Sequence, residues 1–268
     1  MSSEGASAIT YDRQLLLLGS KRNVMLDLSE VLRYGIDSYG DADYVSIYGL
    51  PPVEWYGKGI RLLGRTAVEC TRDQLANAIG QEIAAIATTS GSGTPRVMIV
   101  DPFVGSGNTL YWMMRHVPHA VGVGYEVDPQ VFELTKRNLS ILGLPLEVQH
   151  ADYAKALEEL SVSADALLIV FIAPPWGNAL STSDGLDLRH TTPPASEIID
   201  RLTERFGNPM LFAIQVYEKI VPASVAELGV RFDWSALRIY DFNAAGQNHG
   251  VLLATRGWRP GRDGAEYR

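Results

Sequence analysis

The chain turns on Asp101-Pro102-Phe103-Val104-Gly105-Ser106-Gly107-Asn108-Thr109. An apolar run, Val97-Met98-Ile99-Val100, leads into this stretch, and a helix-like pattern from Thr109 to His116 leads out of it. Strand, glycine-rich turn and helix, in that order, set backbone N–H groups and a helix N-terminus against a ligand. Gly105 and Gly107 permit torsions and a close approach that a side chain would block.

Toward the C-terminus the pattern alternates. Strands are expected over 97–101, 120–127, 146–150, 166–172 and 210–216. Helices are expected over 108–117, 129–142, 153–160, 195–206 and 223–228. Asp128-Pro129 is a helix start and Gly143 a helix stop. The unbroken apolar run at 166–172 is what a central parallel strand shows. Two last strands, over 231–242 and 249–256, flank Asn243 to Asn248 and suggest an antiparallel hairpin. Repeated βα units imply an α/β fold, a doubly wound, mostly parallel seven-stranded sheet with helices on both faces. Such sheets bind ligands outside the C-terminal ends of their strands.

Toward the N-terminus the signal changes. Residues 1–10 are small and polar and are expected to be disordered. Apolar residues at helical spacing from Tyr11 predict one or two helices up to about residue 35. Residues 34–63 are rich in aromatics and glycine, including Trp55 and Tyr56, and suggest irregular structure. That stretch either plugs the extension onto the core or walls a binding pocket. Thr71-x-x-Gln74 has the form of a capping box. The helix it would open carries Leu75, Ile79, Ile83 and Ile86 on one face, and Thr89 to Pro95 forms a connector. The expected division is therefore a helical, aromatic-rich extension over 1–70 and an α/β domain over 71–268.

Composition narrows the function. Hydrophobic residues make up 46% of the chain and charged residues 20%, which suits a globular fold. A single cysteine, Cys70, allows no intrachain disulfide and suits a reducing cytoplasm. No signal-peptide core is visible in Met1 to Thr10, and the longest apolar run, 166–173, is too short to span a bilayer. A net charge of −8 opposes broad, charge-driven binding of nucleic acid. No His, Cys, Asp or Glu cluster has metal-ligand spacing, so no metal is expected.

Three further positions carry chemistry. Glu126 closes the second strand, close to the ~20 residues past the glycine loop at which an acid takes ribose hydroxyls. Asp128 suits the N-cap of the next helix better. Asp152 follows the third strand and either accepts from an adenine amino group or caps the helix at Tyr153. Ala173-Pro174-Pro175-Trp176 closes the fourth strand: the prolines fix the turn, its carbonyls project as acceptors, and Trp176 offers a flat stacking face.

DPFVGSGNT, YEVDP, HADY and APPWG, in this order, resemble the motifs of class I S-adenosylmethionine (SAM) dependent methyltransferases. The likeness is greatest to trimethylguanosine synthases, which methylate the exocyclic amine of 7-methylguanosine caps. Gly59-Ile60-Arg61-Leu62, Thr71 and Asp187-Leu188-Arg189 extend it over roughly residues 56–220. The resemblance implies that Asp101, Phe103, Gly105, Gly107, Asn108, Thr109 and Ala173 line the SAM site. It gives Glu126 the ribose and Asp152 the adenine. Pro174, Pro175 and Trp176 would be the catalytic turn, with Trp176, Trp55, Tyr56 and Asp187 around the acceptor.

This chain departs from the family in four places. Ala173 stands where the family has Ser, and where related amine methyltransferases have Asn or Asp. Ala67 and Glu69 replace a Trp and a Ser, and Asn178 replaces a Gly. These changes point away from a guanine cap and toward a small planar aromatic or heteroaromatic acceptor, methylated on nitrogen or an electron-rich ring carbon. Cap-like RNA is the alternative and would draw on Lys58, Arg61, Arg65 and Arg189 for phosphate. An inactive SAM-fold binding protein is the third reading. Proton acceptors are sought among Asp184, Asp187, His190, Glu54 and Tyr56, and the long 177–194 segment is expected to form a lid.

Overall fold

A computed structural model describes residues 10–90, 96–181, 183–242 and 248–261. The readings made for residues 1–9, for 91–95 of the connector and for the hairpin turn at 243–247 fall outside the described residues.

Seven strands form one sheet: β1 (Val97–Asp101), β2 (Val121–Glu126), β3 (Glu147–His150), β4 (Leu167–Ile172), β5 (Met210–Tyr217), β6 (Trp234–Ile239) and β7 (His249–Arg256). Their order is β3-β2-β1-β4-β5-β7-β6. The first five run parallel, while β7 pairs antiparallel with both β5 and β6. All six residues of β4 are buried, as its continuous apolar sequence requires. The chain steps outward from β1 to β3 and then returns to β4, so strand order switches between β1 and β4. A crevice opens at the C-terminal ends of strands at such a point.

Among the described residues there are nine α-helices: α1 (Leu28–Tyr39), α2 (Pro52–Gly57), α3 (Gly64–Glu69), α4 (Asp73–Ala87), α5 (Asn108–His116), α6 (Pro129–Leu142), α7 (Tyr153–Glu159), α8 (Ala195–Arg205) and α9 (Pro222–Gly229). On one face Leu75, Ile79 and Ile83 of α4 and Leu110 and Met113 of α5 pack on Ile99, Ile169 and Leu211. On the other, Ala156 and Leu157 of α7 and Ile198 and Leu202 of α8 cover Val100, Val170 and Phe212.

The N-terminal segment builds a third core from Leu16, Val31, Tyr34, Trp55 and Ile60, closed against Tyr111 of α5 and Leu139 of α6. It is more regular than its composition suggests. α1 runs on to Tyr39, because Gly40 takes a left-handed φ of 70° and its N–H closes the helix onto Ile36. α2 begins at Pro52, whose fixed φ is preset for a first helical position.

Two sequence readings are corrected here. Thr71 does not cap α4: Arg72 holds the cap position with no side-chain bond, while the buried Thr71 hydroxyl donates to Gln215 Oε1 at 3.0 Å. The capping box lies at α1, where Asp27 accepts from Glu30 N and Glu30 accepts from Asp27 N. Trp55 is no pocket wall. It is 0% exposed, and its indole N–H donates to Val45 O at 2.9 Å inside the third core.

The extension is fastened to the glycine loop by Asn108. Its side-chain oxygen accepts from Tyr48 N at 2.7 Å, and its amide nitrogen donates to Thr71 O at 2.7 Å. The Tyr48 hydroxyl donates to Ser106 O, and Tyr48 itself sits at a left-handed φ of 58°. A bulky residue in that region costs about 1–3 kcal/mol unless its surroundings hold it there. Asp73 holds the next residue, accepting from Gly49 N at 2.9 Å and from Trp112 Nε1 at 2.6 Å. Asn138 and Arg61 exchange two bonds of 3.1 and 2.8 Å, and Arg65 pairs with Asp128 at 2.6 Å.

Asn108→Ala leaves two buried backbone groups unpaired and is expected to lower unfolding free energy by about 2–4 kcal/mol. Urea denaturation measures this, and limited proteolysis should show earlier cutting within residues 40–50. Wild-type stability in the variant would mean that the extension docks without this clamp.

Candidate active site

The glycine loop is held open by its own hydrogen bonds. Val104 N donates to Tyr125 O at 3.0 Å, Gly107 N to Val104 O at 2.7 Å, and Thr135 Oγ1 to Gly105 O at 2.7 Å. Gly105 and Gly107 adopt φ values of 50° and 77°, which side chains rarely adopt. The position a Gly105 Cβ would take meets only Phe103 O, at 3.9 Å, so that face of the loop borders open space. Beneath it β2 passes so closely that a Cβ on Gly124 would lie 2.4 Å from Val104 Cγ2.

Two carboxylates stand under this cradle. Asp101, 2% exposed at the end of β1, accepts from Phe103 N at 3.1 Å. Burial raises its pKa to about 7; the Phe103 bond opposes the shift and the charge of Glu126 adds to it. Among the described residues no Lys or Arg pairs with Asp101. Glu126 ends β2, and its Oε1 accepts from Asp128 N at 2.8 Å. Burial also raises its pKa, against backbone hydrogen bonds from Asp128 and Gly105 and the charge of Arg65. Asp128 caps α6, accepting from Gln130 N and Val131 N. Although burial pushes its pKa up, the Arg65 hydrogen bond and these backbone donors bring it below the ordinary value.

Asp152 caps α7 through Oδ1, which accepts from Ala154 N at 2.9 Å and Lys155 N at 3.5 Å. Among the described residues Oδ2 receives no bond, so capping leaves one oxygen for a ligand amine. A cleft of about 710 Å³ opens between β2, β3 and α7, with Val127, Ala151 and Asp152 at one end.

At the end of β4, Trp176 lies 5.2 Å from the His249 ring and 6.3 Å from that of Tyr217. Tyr217 and His249 meet edge to face at 5.8 Å. Among the described residues these are the rings in contact with Trp176. Gln215 Nε2 lies 3.4 Å from His249 Nδ1, and its Oε1 takes the Thr71 hydroxyl. Burial pushes the His249 pKa down to about 4; Arg72 and Arg13 push it the same way and Glu218 opposes them.

The other sequence-derived residues fall out differently. Asn108 is 1% exposed and both ends of its amide are taken by Tyr48 and Thr71, so its side chain is a clamp. Thr109 is buried behind it, and Phe103 packs against the Tyr153 ring at 5.2 Å. Ala173 packs toward the α4–α5 side of the sheet. Tyr56 lies beneath the Arg61 guanidinium at 3.6 Å and against the extension core. Asp187 is mostly buried and gripped by Arg189 through Nε at 2.8 Å and Nη2 at 2.6 Å. That grip holds its carboxyl below the ordinary range. The 177–194 segment is anchored: Leu186 and Leu188 are buried, and Leu180–Ser181 pairs with Gly185–Leu186. Sequence reasoning missed His249, Gln215 and Tyr217, which come from the neighbouring strands β7 and β5.

This is the architecture of class I SAM-dependent methyltransferases. No protein-family model matches the chain. A stretch of 83 residues, 30% of this chain, is 29% identical to trimethylguanosine synthase of Schizosaccharomyces pombe and covers 34% of it. The chain thus spans about a third of the length of that relative. Among solved structures, the METTL16 methyltransferase domain superposes with a TM-score of 0.50 at 15% identity, over 72% of each chain. The N-terminal domain of human METTL16, in complex with S-adenosylhomocysteine (SAH), gives 0.49 at 15% identity, over 69% of this chain and 71% of that one. A methyltransferase from Geobacter sulfurreducens gives 0.43 at 14% identity, over 70% and 80%. At these identities the likeness is one of fold. Among the described residues no helix is long and apolar enough to cross a membrane.

SAM fits the donor set. It is a cation, and Asp101 is a buried carboxylate without a counter-charge beside an open glycine cradle. A cationic ligand selects ionised Asp101, so binding should release a proton and tighten as pH rises. With a pKa of about 7 at Asp101, SAM affinity is expected to increase about tenfold from pH 6 to pH 8. Asp101→Asn should bind more weakly and without this slope. Titration calorimetry at several pH values checks both, and a flat wild-type profile would overturn the assignment.

Proposed function

We propose that the protein is a methyltransferase moving a methyl group from SAM to a planar aromatic or heteroaromatic small molecule stacked on Trp176. The observation that carries this reading is the position of Trp176. It stands at the end of β4, beside the switch point that also holds the glycine loop. Bound in the cradle, SAM would supply an electrophilic methyl group. Asp101 would face its positive charge, Glu126 its ribose hydroxyls, and the free oxygen of Asp152 its adenine amine. Gly105 and Gly107 would let the ligand approach the loop backbone.

On the acceptor side, Pro174 and Pro175 fix the turn so that its carbonyls project rigidly. Ala173 offers no side-chain acceptor, so an amine would be oriented by those carbonyls alone. A neutral heteroaromatic nitrogen needs no base before it is methylated, and the work left to the protein is alignment in a dry pocket. Residues 1–70 would wall the acceptor pocket and 71–268 would form the catalytic domain. Cys70, half-buried and free, suits a reducing cytoplasm.

The stretch shared with trimethylguanosine synthase favours a second reading, methylation of guanosine N2 in a cap-like RNA. Calorimetry separates the two: the protein is saturated with SAH and then titrated with a 7-methylguanosine cap analogue. Silence favours the small acceptor, and binding brings the cap reading forward.

Two substitutions test the site. Trp176→Ala is expected to destroy acceptor binding and to leave SAH affinity within a few-fold; loss of both would make Trp176 a structural residue. Glu126→Ala should weaken SAH more than tenfold, and unchanged affinity would remove it from the ribose.

A further inference from the structure

We infer that His249 reads the acceptor: its imidazole presents a neutral Nε2–H that donates a hydrogen bond to a ring nitrogen or carbonyl on the edge of the planar molecule stacked on Trp176. The inference rests on the methyltransferase reading above and names the chemistry its substrate must carry.

The position comes from the sheet. Tyr217 closes β5 and is paired with His249, which opens β7. Side chains two apart along a strand share a face. Gln215 therefore projects to the α4 side with Leu211 and Ala213, and His249 joins it with Val251, while Tyr217 at the strand end packs with Trp176 against the α7–α8 side. Trp176 follows β4, the other neighbour of β5. Trp176, Tyr217 and His249 thus converge at the C-terminal edge of the parallel strands. Their planes cross at 43°, 60° and 85°, so they meet at steep angles and do not form one stack.

The tautomer comes from a relay. The Thr71 hydroxyl donates to Gln215 Oε1 at 3.0 Å, which turns the Gln215 NH₂ toward His249 Nδ1 at 3.4 Å. Nδ1 then accepts, and a neutral imidazole must carry its proton on Nε2. Among the described residues no group accepts from that nitrogen. The ring is kept neutral by its surroundings: burial, Arg72 and Arg13 disfavour the cation, and Glu218 alone opposes them. The imidazole therefore offers an uncharged donor at neutral pH.

A site built around such a donor discriminates by what it leaves unpaired. An acceptor with a lone pair at that edge completes the hydrogen bond, whereas a hydrocarbon ring of equal shape strands a desolvated N–H. The same donor orients the ring in its own plane, which stacking on Trp176 alone does not do.

The test has two parts, both on the full chain saturated with SAH. ¹⁵N imidazole spectroscopy should find His249 neutral and Nε2-protonated from pH 5.5 to 8; the Nδ1–H tautomer, or a cation at pH 6, overturns the inference. Calorimetry then compares 6-hydroxyquinoline with 2-naphthol, which share a shape and differ in one ring nitrogen. Wild type is expected to prefer the quinoline about tenfold, His249→Leu to lose the preference and keep naphthol binding, and His249→Gln to retain part of it. SAH affinity of each variant reports whether it has folded. Equal affinities in wild type overturn the role of His249 and leave the stacking site standing. Failure of both ring systems to bind removes the planar-acceptor reading and the inference with it.

Discussion

The buried amide of Asn108 is the contact on which the site depends. It opens α5, so its backbone belongs to the glycine loop, while its side chain reaches two points of the N-terminal segment, Tyr48 N and Thr71 O. A primary amide suits this place because it offers donor and acceptor at once, and both partners are backbone groups that would otherwise be buried unpaired. The loop and the extension therefore cannot move independently without stranding polar groups. Two further bonds, Tyr48 to Ser106 and Asp73 to Trp112, work in the same direction. A rigid cradle matters because a ligand bound by backbone N–H groups gains only if those groups are already aimed.

The electrostatics of the crevice follow from this rigidity. Asp101 and Glu126 sit at adjacent strand ends, each desolvated; the charge of Glu126 adds to the rise at Asp101, and that of Asp128 adds to the rise at Glu126. Asp128, two residues on, is satisfied by a helix N-terminus and by Arg65. Arg65 itself leaves its Nε buried without a partner. Two carboxylates and one unfinished guanidinium are thus held around one opening. Such an arrangement is costly when empty of charge, and the cost falls when a ligand brings a cation and hydroxyl groups to it. The cluster of Trp176, Tyr217 and His249 has the opposite character, with neutral rings and a histidine kept uncharged.

How much was legible in the sequence follows the range of the interactions. DPFVGSGN and the apolar run of β4 encode their own geometry within a few residues, so the sheet, the loop and the strand-end acids could be placed. Asp128 as a helix cap is equally local. Least legible were the residues whose partners lie far along the chain. Thr71 has the spacing of a capping box, yet a buried glutamine 144 residues away claims its hydroxyl. Asn108 has the position of a cofactor contact, but its partners lie 60 and 37 residues back. Trp55 sits in an aromatic-rich stretch that could equally plug or line, and full burial with Val45 as partner decides for the plug. No pattern in β7 marks His249; only its register against Tyr217 brings it to Trp176.

Thr71 joins these two halves. Its carbonyl is held by Asn108, which opens the helix after the glycine loop, and its hydroxyl orients Gln215, which orients His249 beside Trp176. One residue at the junction of extension and sheet thus transmits position in both directions. The N-terminal segment therefore does more than cap one side of the sheet. It sets the loop torsions on one side and the tautomer of a histidine on the other, and both depend on Thr71 staying in place. A substitution that loosened the extension would therefore disturb the glycine loop and His249 together.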